Sequence, residues 1–322
     1  MAMAAIYPAV QALTGADPPV TAAIGHAAGW YRPRMHSEGS NPSPDTVAAL
    51  TQGEEAFEAE DWPRAGDLLA AAAAGLGGEL AKAVWFDAAL AYKFARDWPR
   101  AYETGKVAVT FVERGAEEPA YWNLGTAATV LRDWATARDA WAGYGLPPFP
   151  GTEQIDAQLG PACIRLAGVD EVVWAMRLCP TRARVINVPF DPSRRFGEVV
   201  VHDGAPSGER TYGTMTVPVF DEVALFEPSE TATLSVLVTC GPGELDELAA
   251  AFNRRGLGLE VLASRVDLCA CCSRSSIQQE RREFDGEQRL FLGAAEREAR
   301  ELLGAWAAEG PGTRSWTNLH PA

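Results

Sequence analysis

The sequence predicts a multi-domain chain of α plus α/β class, in which a helical repeat array is followed by a β-rich region and a two-layer α/β sandwich. Three observations carry this expectation. A five-residue segment recurs at a constant interval in the first half. Residues 171 to 239 break into short β-branched runs separated by turn signals, and from residue 231 a strand, helix, strand pattern occurs twice. At 322 residues the chain is about twice a common domain length, and its 47% hydrophobic and 22% charged residues allow a packed core through most of it.

Residues 1–45 are expected to form an N-terminal extension or a cap on the first helical repeat. They are apolar at the start, lack a positively charged leader and are broken by Pro8, Pro18 and Pro19, so they do not read as a secretory signal. No run reaches the roughly 18 to 20 apolar residues that a bilayer span requires. The expected location is the cytoplasm. An Ala-, Gly-, Pro- and Arg-rich composition with few lysines reads as a high-GC bacterial coding bias.

Residues 46–150 carry the recurrence. Asp61-Trp62-Pro63-Arg64-Ala65 returns as Asp97-Trp98-Pro99-Arg100-Ala101, and in looser form as Asp133-Trp134-Ala135-Thr136-Ala137, 36 residues apart each time. Alanine-rich segments of helical period flank each copy, which makes a helix-turn-helix unit. Asp is a good N-cap, and Pro fits the first turn, where its missing donor costs nothing. The small Ala lets the second helix approach its partner, and the Trp covers the turn.

On these residues the segment resembles the tetratricopeptide repeat family. In the second copy Trp85, Tyr92, Ala101 and Ala108 fall at that family's aromatic and small positions. The third copy supplies Leu124-Gly125, Ala137 and Trp141, then Pro147, Pro148 and Pro150. The first keeps Gly53, Ala65 and Ala72. The resemblance implies a groove lined by the first helix of each repeat, where a protein or peptide partner lies. The residues expected to line it are Phe57, Phe86, Leu90, Lys93 and Trp122, with Phe94 and Thr126 beside them. One lysine among apolar groups is too few cations for a carboxylate clamp, so a mainly apolar segment is expected there. The alternative is that these aromatics are buried against the rest of the chain.

Residues 151–230 form the β-rich region. Pro147 to about Leu166 reads as a linker with a short helical segment at Thr152 to Gly160. The strand-like runs beyond it are Glu171–Met176, Ala183–Pro189, Glu198–His202, Thr214–Phe220, Glu222–Phe226 and Thr231–Cys240, enough for a compact sheet or small barrel. Residues 231–322 then alternate as Leu234–Thr239, Glu244–Arg255, Leu257–Ala263, and Arg289–Leu292, Ala294–Ala308, Thr313–Thr317. Both helical segments carry apolar stripes. The doubled unit resembles a ferredoxin-like (βαβ)2 sandwich, an architecture that hosts many functions.

Acidic residues outnumber basic ones 43 to 28, giving a net charge of −15, and no segment forms a basic tail. That argues against nucleic acid or an anionic membrane as partner. Only four histidines are present, so a histidine-based centre has little material. Cys269-Ala270-Cys271-Cys272 gives Cys269 and Cys272 the spacing that presents two thiolates to zinc, yet the next twenty residues hold no further Cys or His. Cys240, His202 or His320 would have to complete the set from a distance. A metal, a redox dithiol and a packing role all stay open. The turn Cys240-Gly241-Pro242-Gly243 reads as structural, because Asp246 stands where a dinucleotide site needs glycine. His202-Asp203-Gly204 reads as a solvated hairpin turn, and the neighbouring carboxylates Glu54-Glu55, Glu117-Glu118 and Asp221-Glu222 as mostly pointing apart into water.

The expected function is a non-catalytic protein–protein interaction adaptor that uses the repeat groove, with the C-terminal half serving packing, oligomerisation or ligand sensing. Catalytic residues and cofactors are not expected, zinc at Cys269 and Cys272 excepted. Two alternatives stand beside it: a metal- or thiol-dependent enzyme or sensor, and an immunity- or antitoxin-type partner of a neighbouring protein.

Overall fold

A computed structural model of the chain describes residues 42–212, 215–241, 243–261, 277–279 and 286–322. The described residues divide into two compact units, one ending at Ile155 and the other running from Asp156 to Ala322. The first holds six helices. They are α1 (Pro44–Glu58), α2 (Trp62–Ala73), α3 (Gly78–Phe94), α4 (Trp98–Ala108), α5 (Pro119–Val130) and α6 (Trp134–Tyr144), paired as three successive hairpins.

The recurring pentapeptide explains the hairpins. Before each Asp the chain turns through a left-handed residue, Glu60 at φ 57°, Arg96 at 57° and Arg132 at 61°. The amide of the next residue then reaches back into the preceding helix, Asp61 to Ala56, Asp97 to Tyr92 and Asp133 to Ala128, at 2.9 Å each. Asp97 and Asp133 cap the second helix through the amides of Arg100 and Thr136 at 3.1 Å, worth about 1 kcal/mol apiece. Asp61 makes no side-chain cap.

Large rings fill the space that small residues leave. A Cβ on Gly66 would stand 2.5 Å from the Tyr92 ring, and one on Gly125 would stand 2.6 Å from Trp141. These contacts join α2 to α3 across hairpins and α5 to α6 within one. Trp62 lies edge-on to Phe57 of its own hairpin, with centroids 5.1 Å apart, and 4.8 Å from Phe94 of the next. It therefore ties two hairpins together.

The second unit begins with β1 (Gly160–Arg165), β2 (Val172–Cys179), β3 (Arg182–Val185), β4 (Val199–His202), β5 (Gly208–Tyr212) and β6 (Met215–Glu227). Strands β1, β2, β3, β4 and β6 pair in that order, and β6 returns to pair parallel with β1, which closes a five-stranded barrel. Its interior holds Ala162, Ile164, Val173, Ala175, Ala183, Val185, Val200 and Phe220. Strand β5 extends from β6 and is joined in parallel by the short β9 (Ile277–Gln279).

The remaining elements are β7 (Thr233–Cys240), α7 (Glu244–Arg254), β8 (Gly258–Val261), β10 (Gly286–Gly293), α8 (Glu296–Glu309) and β11 (Ser315–Pro321). Their sheet has the order β11-β7-β10-β8 with every neighbouring pair antiparallel. Alternation along β7 and β10 puts Leu234, Val236, Val238, Leu290 and Leu292 on one face. There they meet Leu248 and Phe252 of α7 and Leu302, Leu303 and Trp306 of α8. On the opposite face Phe196 packs over Gly258 and Gly293, and Phe190 meets Phe291 at 5.4 Å.

Several expectations change. The stretch read as linker contains β1, and Thr152 to Gly160 forms no helix. The two runs expected at Thr214–Phe220 and Glu222–Phe226 are joined, from Met215 on, in one strand, because Asp221 is paired with Arg165 of β1. Strand β5 was hidden by its polar composition. His202 lies in no solvated turn: it is fully buried, with its ring stacked on Phe220 at 4.5 Å. Glu222 is not in water either, since Arg194 grips both of its oxygens at 2.6 and 3.0 Å.

Candidate functional site

The first helices of the three hairpins, α1, α3 and α5, supply the candidate site. Residues 36 apart occupy equivalent places, so Leu50, Phe86 and Trp122 correspond, as do Phe57, Lys93 and Thr129. Side chains also connect the helices. Lys93 donates from Nζ to Asn123 Oδ1 at 3.3 Å, which links α3 to α5. Asp87 of α3 lies within electrostatic reach of Glu54 of α1.

The apolar residues differ in what they touch. Phe86 and Leu90 are half-buried, and Phe94 is 36% exposed beside Trp62. Phe57 meets the same indole edge-on. Trp122 turns toward the second helix of its own hairpin, lying edge-on to Trp141 at 5.2 Å and to Tyr144 at 5.0 Å. Its indole N–H is buried with no hydrogen-bond partner. The buried hydroxyls of Thr126 and Thr129 are spent on their own helix, on the carbonyls of Trp122 and Gly125.

The charged residues are the less expected part. Lys93 is 5% exposed, an unusual place for an ammonium, since burying a charge costs several kcal/mol unless it is well paired. Asp87 is half-buried, and desolvation followed by repulsion from Glu54 pushes its carboxyl up to about 6. Glu54 is itself raised, by burial and then by Glu58 one turn on. Both carboxyls would gain from a nearby cation. Sequence reasoning found Lys93, took Glu54 only as one of an adjacent pair of carboxylates in water, where it is indeed exposed, and passed over Asp87 and Asn123. The signal was present in the period: Asp87 and Asn123 stand 36 apart, each directly after an expected groove residue.

The cysteine motif is not part of this picture, because Cys269 and Cys272 lie outside the described residues. Of the residues considered as distant ligands, Cys240 is buried in the sandwich core, His202 inside the barrel, and His320 is exposed on β11. Among the described residues no group of three or more His, Cys, Asp or Glu side chains could hold a metal ion. Cys163 is buried too, and desolvation pushes its thiol up to about 11, far from a thiolate at neutral pH.

A shallow groove of about 350 Å³ lies on the four-stranded sheet, lined by Ser235, Leu237, Arg289, Asn318, Leu319 and His320. Its residues share nothing with the helical face. No helix among the described residues is long and apolar enough to cross a membrane. Compared with protein-family models the chain matches none, and a comparison with curated proteins finds no match.

Proposed function

We propose that the chain is a protein–protein interaction adaptor whose tetratricopeptide-like array receives an extended partner segment on α1, α3 and α5. The observation that carries the reading is the desolvated carboxyl of Asp87, within reach of the exposed Glu54 and beside the partly open Phe86, Leu90 and Phe94. Hairpin packing needs small residues and rings at the helix contacts, and it has no use for a desolvated carboxyl. A partner that offers a lysine or arginine next to apolar side chains would relieve that cost, and the net charge of −15 would speed its approach. Lys93 and Asn123 mark a second polar point, suited to a backbone carbonyl of the same segment.

We read the C-terminal sheet and its two helices as a ferredoxin-like sandwich that serves packing or ligand sensing. The strand order β11-β7-β10-β8 and the helices α7 and α8 on one face support this. The same reading places the protein in the cytoplasm, with no nucleic acid or membrane as partner.

The test is selection from a displayed random-peptide library on the full chain, followed by titration of the selected peptides. Enriched peptides should combine a basic residue with apolar ones. Phe86→Ala and Asp87→Ala should each weaken binding by about 5- to 100-fold without lowering the unfolding temperature. Unchanged affinity in both variants, or enrichment of acidic peptides, would refute the proposal.

A further inference from the structure

The groove on the four-stranded sheet has a cause in the sequence of its strands. Leu234, Val236 and Val238 of β7 face the helices α7 and α8, so Ser235 and Leu237, which alternate with them, face the other way. Across the strands Ser235 stands between His320 of β11 and Phe291 of β10, and Leu237 between Thr317 and Arg289. A small residue between larger ones leaves a depression. Strand β11 widens it with a bulge: Thr317 pairs with Leu237 and His320 with Ser235, so β11 carries one extra residue there, and Asn318 turns at φ 56°. The result is a space of about 350 Å³ that Ser235, Leu237, Arg289, Asn318, Leu319 and His320 line together, at the small end of ligand sites, about 300–1,000 Å³.

The lining points to an anion with an apolar body. Arg289 and His320 belong to it and no carboxylate does, in a chain whose acidic residues outnumber the basic ones 43 to 28. Arg289 is exposed and makes no ion pair or hydrogen bond among the described residues. Ser235 is only 4% exposed, yet its hydroxyl has no partner among them either. A buried hydroxyl left unpaired is costly, and this one opens on the groove. Leu237 and Leu319 are half-buried and give the space an apolar surface. Water alone can meet the hydroxyl, but it makes no use of the guanidinium or of the two leucines.

We propose that this groove binds a small aliphatic monocarboxylate. Arg289 stands diagonal to Ser235 across β10 and β7, a separation that a long side chain spans. Its guanidinium donates to the carboxylate, the Ser235 hydroxyl donates to the same group, and the alkyl chain lies on Leu237 and Leu319. One guanidinium matches one negative charge, and its planar fork matches the carboxylate. The proposal rests on the ligand-sensing reading of the C-terminal sandwich and not on the docking reading of the helical face. The roles are those of binding residues, and no chemical step is assigned to them.

The probe is 4-methylpentanoate, with its neutral amide, 4-methylpentanamide, as the comparison. Titration calorimetry of the full chain, at constant ionic strength set with chloride, should show saturable binding of the acid, and the histidine side-chain ¹⁵N spectrum should show His320 shifting with it. Arg289→Met should weaken binding about 10- to 100-fold and Ser235→Ala about fivefold. Ser235→Leu, which fills the depression, should abolish it, and Arg297→Met, at an exposed arginine of α8, should leave it intact. Should Ser235→Leu fail to fold, Arg289→Met and Ser235→Ala decide. Full affinity in Arg289→Met, or saturable binding with an unmoved His320, would overturn the proposal. Equal binding of the amide would overturn the carboxylate and leave the sandwich a ligand site, whereas binding of neither compound would overturn the proposal and leave the sandwich its packing role.

Discussion

Replacing Asp87 by Asn should make the protein more stable at neutral pH and poorer at holding a partner. In the folded chain the Asp87 carboxyl titrates near 6, raised first by burial and then by Glu54, whereas in an unfolded chain it titrates near 3.9. Between those values the folded form binds more protons than the unfolded form, so stability falls as pH rises through the window. Sign and size come together. Below about pH 4 both forms are protonated and nothing is lost, and above about pH 6 the full cost is present, about 2–3 kcal/mol. The amide of Asn keeps the volume and cannot ionise. Urea unfolding followed by helical circular dichroism, at a series of pH values from 4 to 8, should show the variant more stable by about 1–3 kcal/mol at pH 7.5. The gain should vanish toward pH 4. A difference that does not depend on pH, or a wild type that is the more stable at pH 7.5, would refute the assignment of a strained charge to this face. In a Glu54→Gln background the gap should narrow, because one of the two causes is gone.

Three further outcomes test the fold. Arg96→Gly should stabilise by about 0.5 kcal/mol in chemical denaturation, because φ of 57° disfavours a residue with a Cβ and the flexibility of glycine takes back part of the gain. Gly125→Ala should lower stability by about 1–3 kcal/mol, since the new methyl would stand 2.6 Å from the fully buried Trp141 ring; thermal melts read this directly. Arg194→Met should cost about 3–5 kcal/mol by leaving two buried carboxylates without their cation, and acidification in the unfolding series should recover part of that loss.

Local rules made the helical half legible. A fixed period, an N-capping Asp and a ring over a small residue act within one hairpin or between neighbours, so their traces recur in the sequence. What the period did not reveal was the cost of a charge. Asp87 and Lys93 look like ordinary helix-surface residues until adjacent helices desolvate them, and that depends on packing between repeats. The barrel was harder to read for a related reason. Strand β5, with the sequence Gly-Glu-Arg-Thr-Tyr, has no apolar alternation, because it pairs at the margin and does not line the interior. His202 was misplaced because a polar residue before Asp-Gly resembles a turn, and Glu222 because adjacent carboxylates were expected to face water, whereas closing the barrel through β1 and β6 buries His202 and Arg194 takes up Glu222. The alternating apolar residues of β7 and β10 and the stripes of α7 and α8 marked which residues are buried together, since one face of the sheet is packed against the two helices.

The most direct test of the helical face as a docking surface is a charge-exchange cycle. Asp87→Lys should lose affinity for a selected basic peptide, and a peptide whose basic residue is replaced by Glu should recover it on that variant, with a coupling of at least about 1 kcal/mol. Additive losses, with no recovery when both charges are exchanged, would contradict a partner bound across Asp87 on α3.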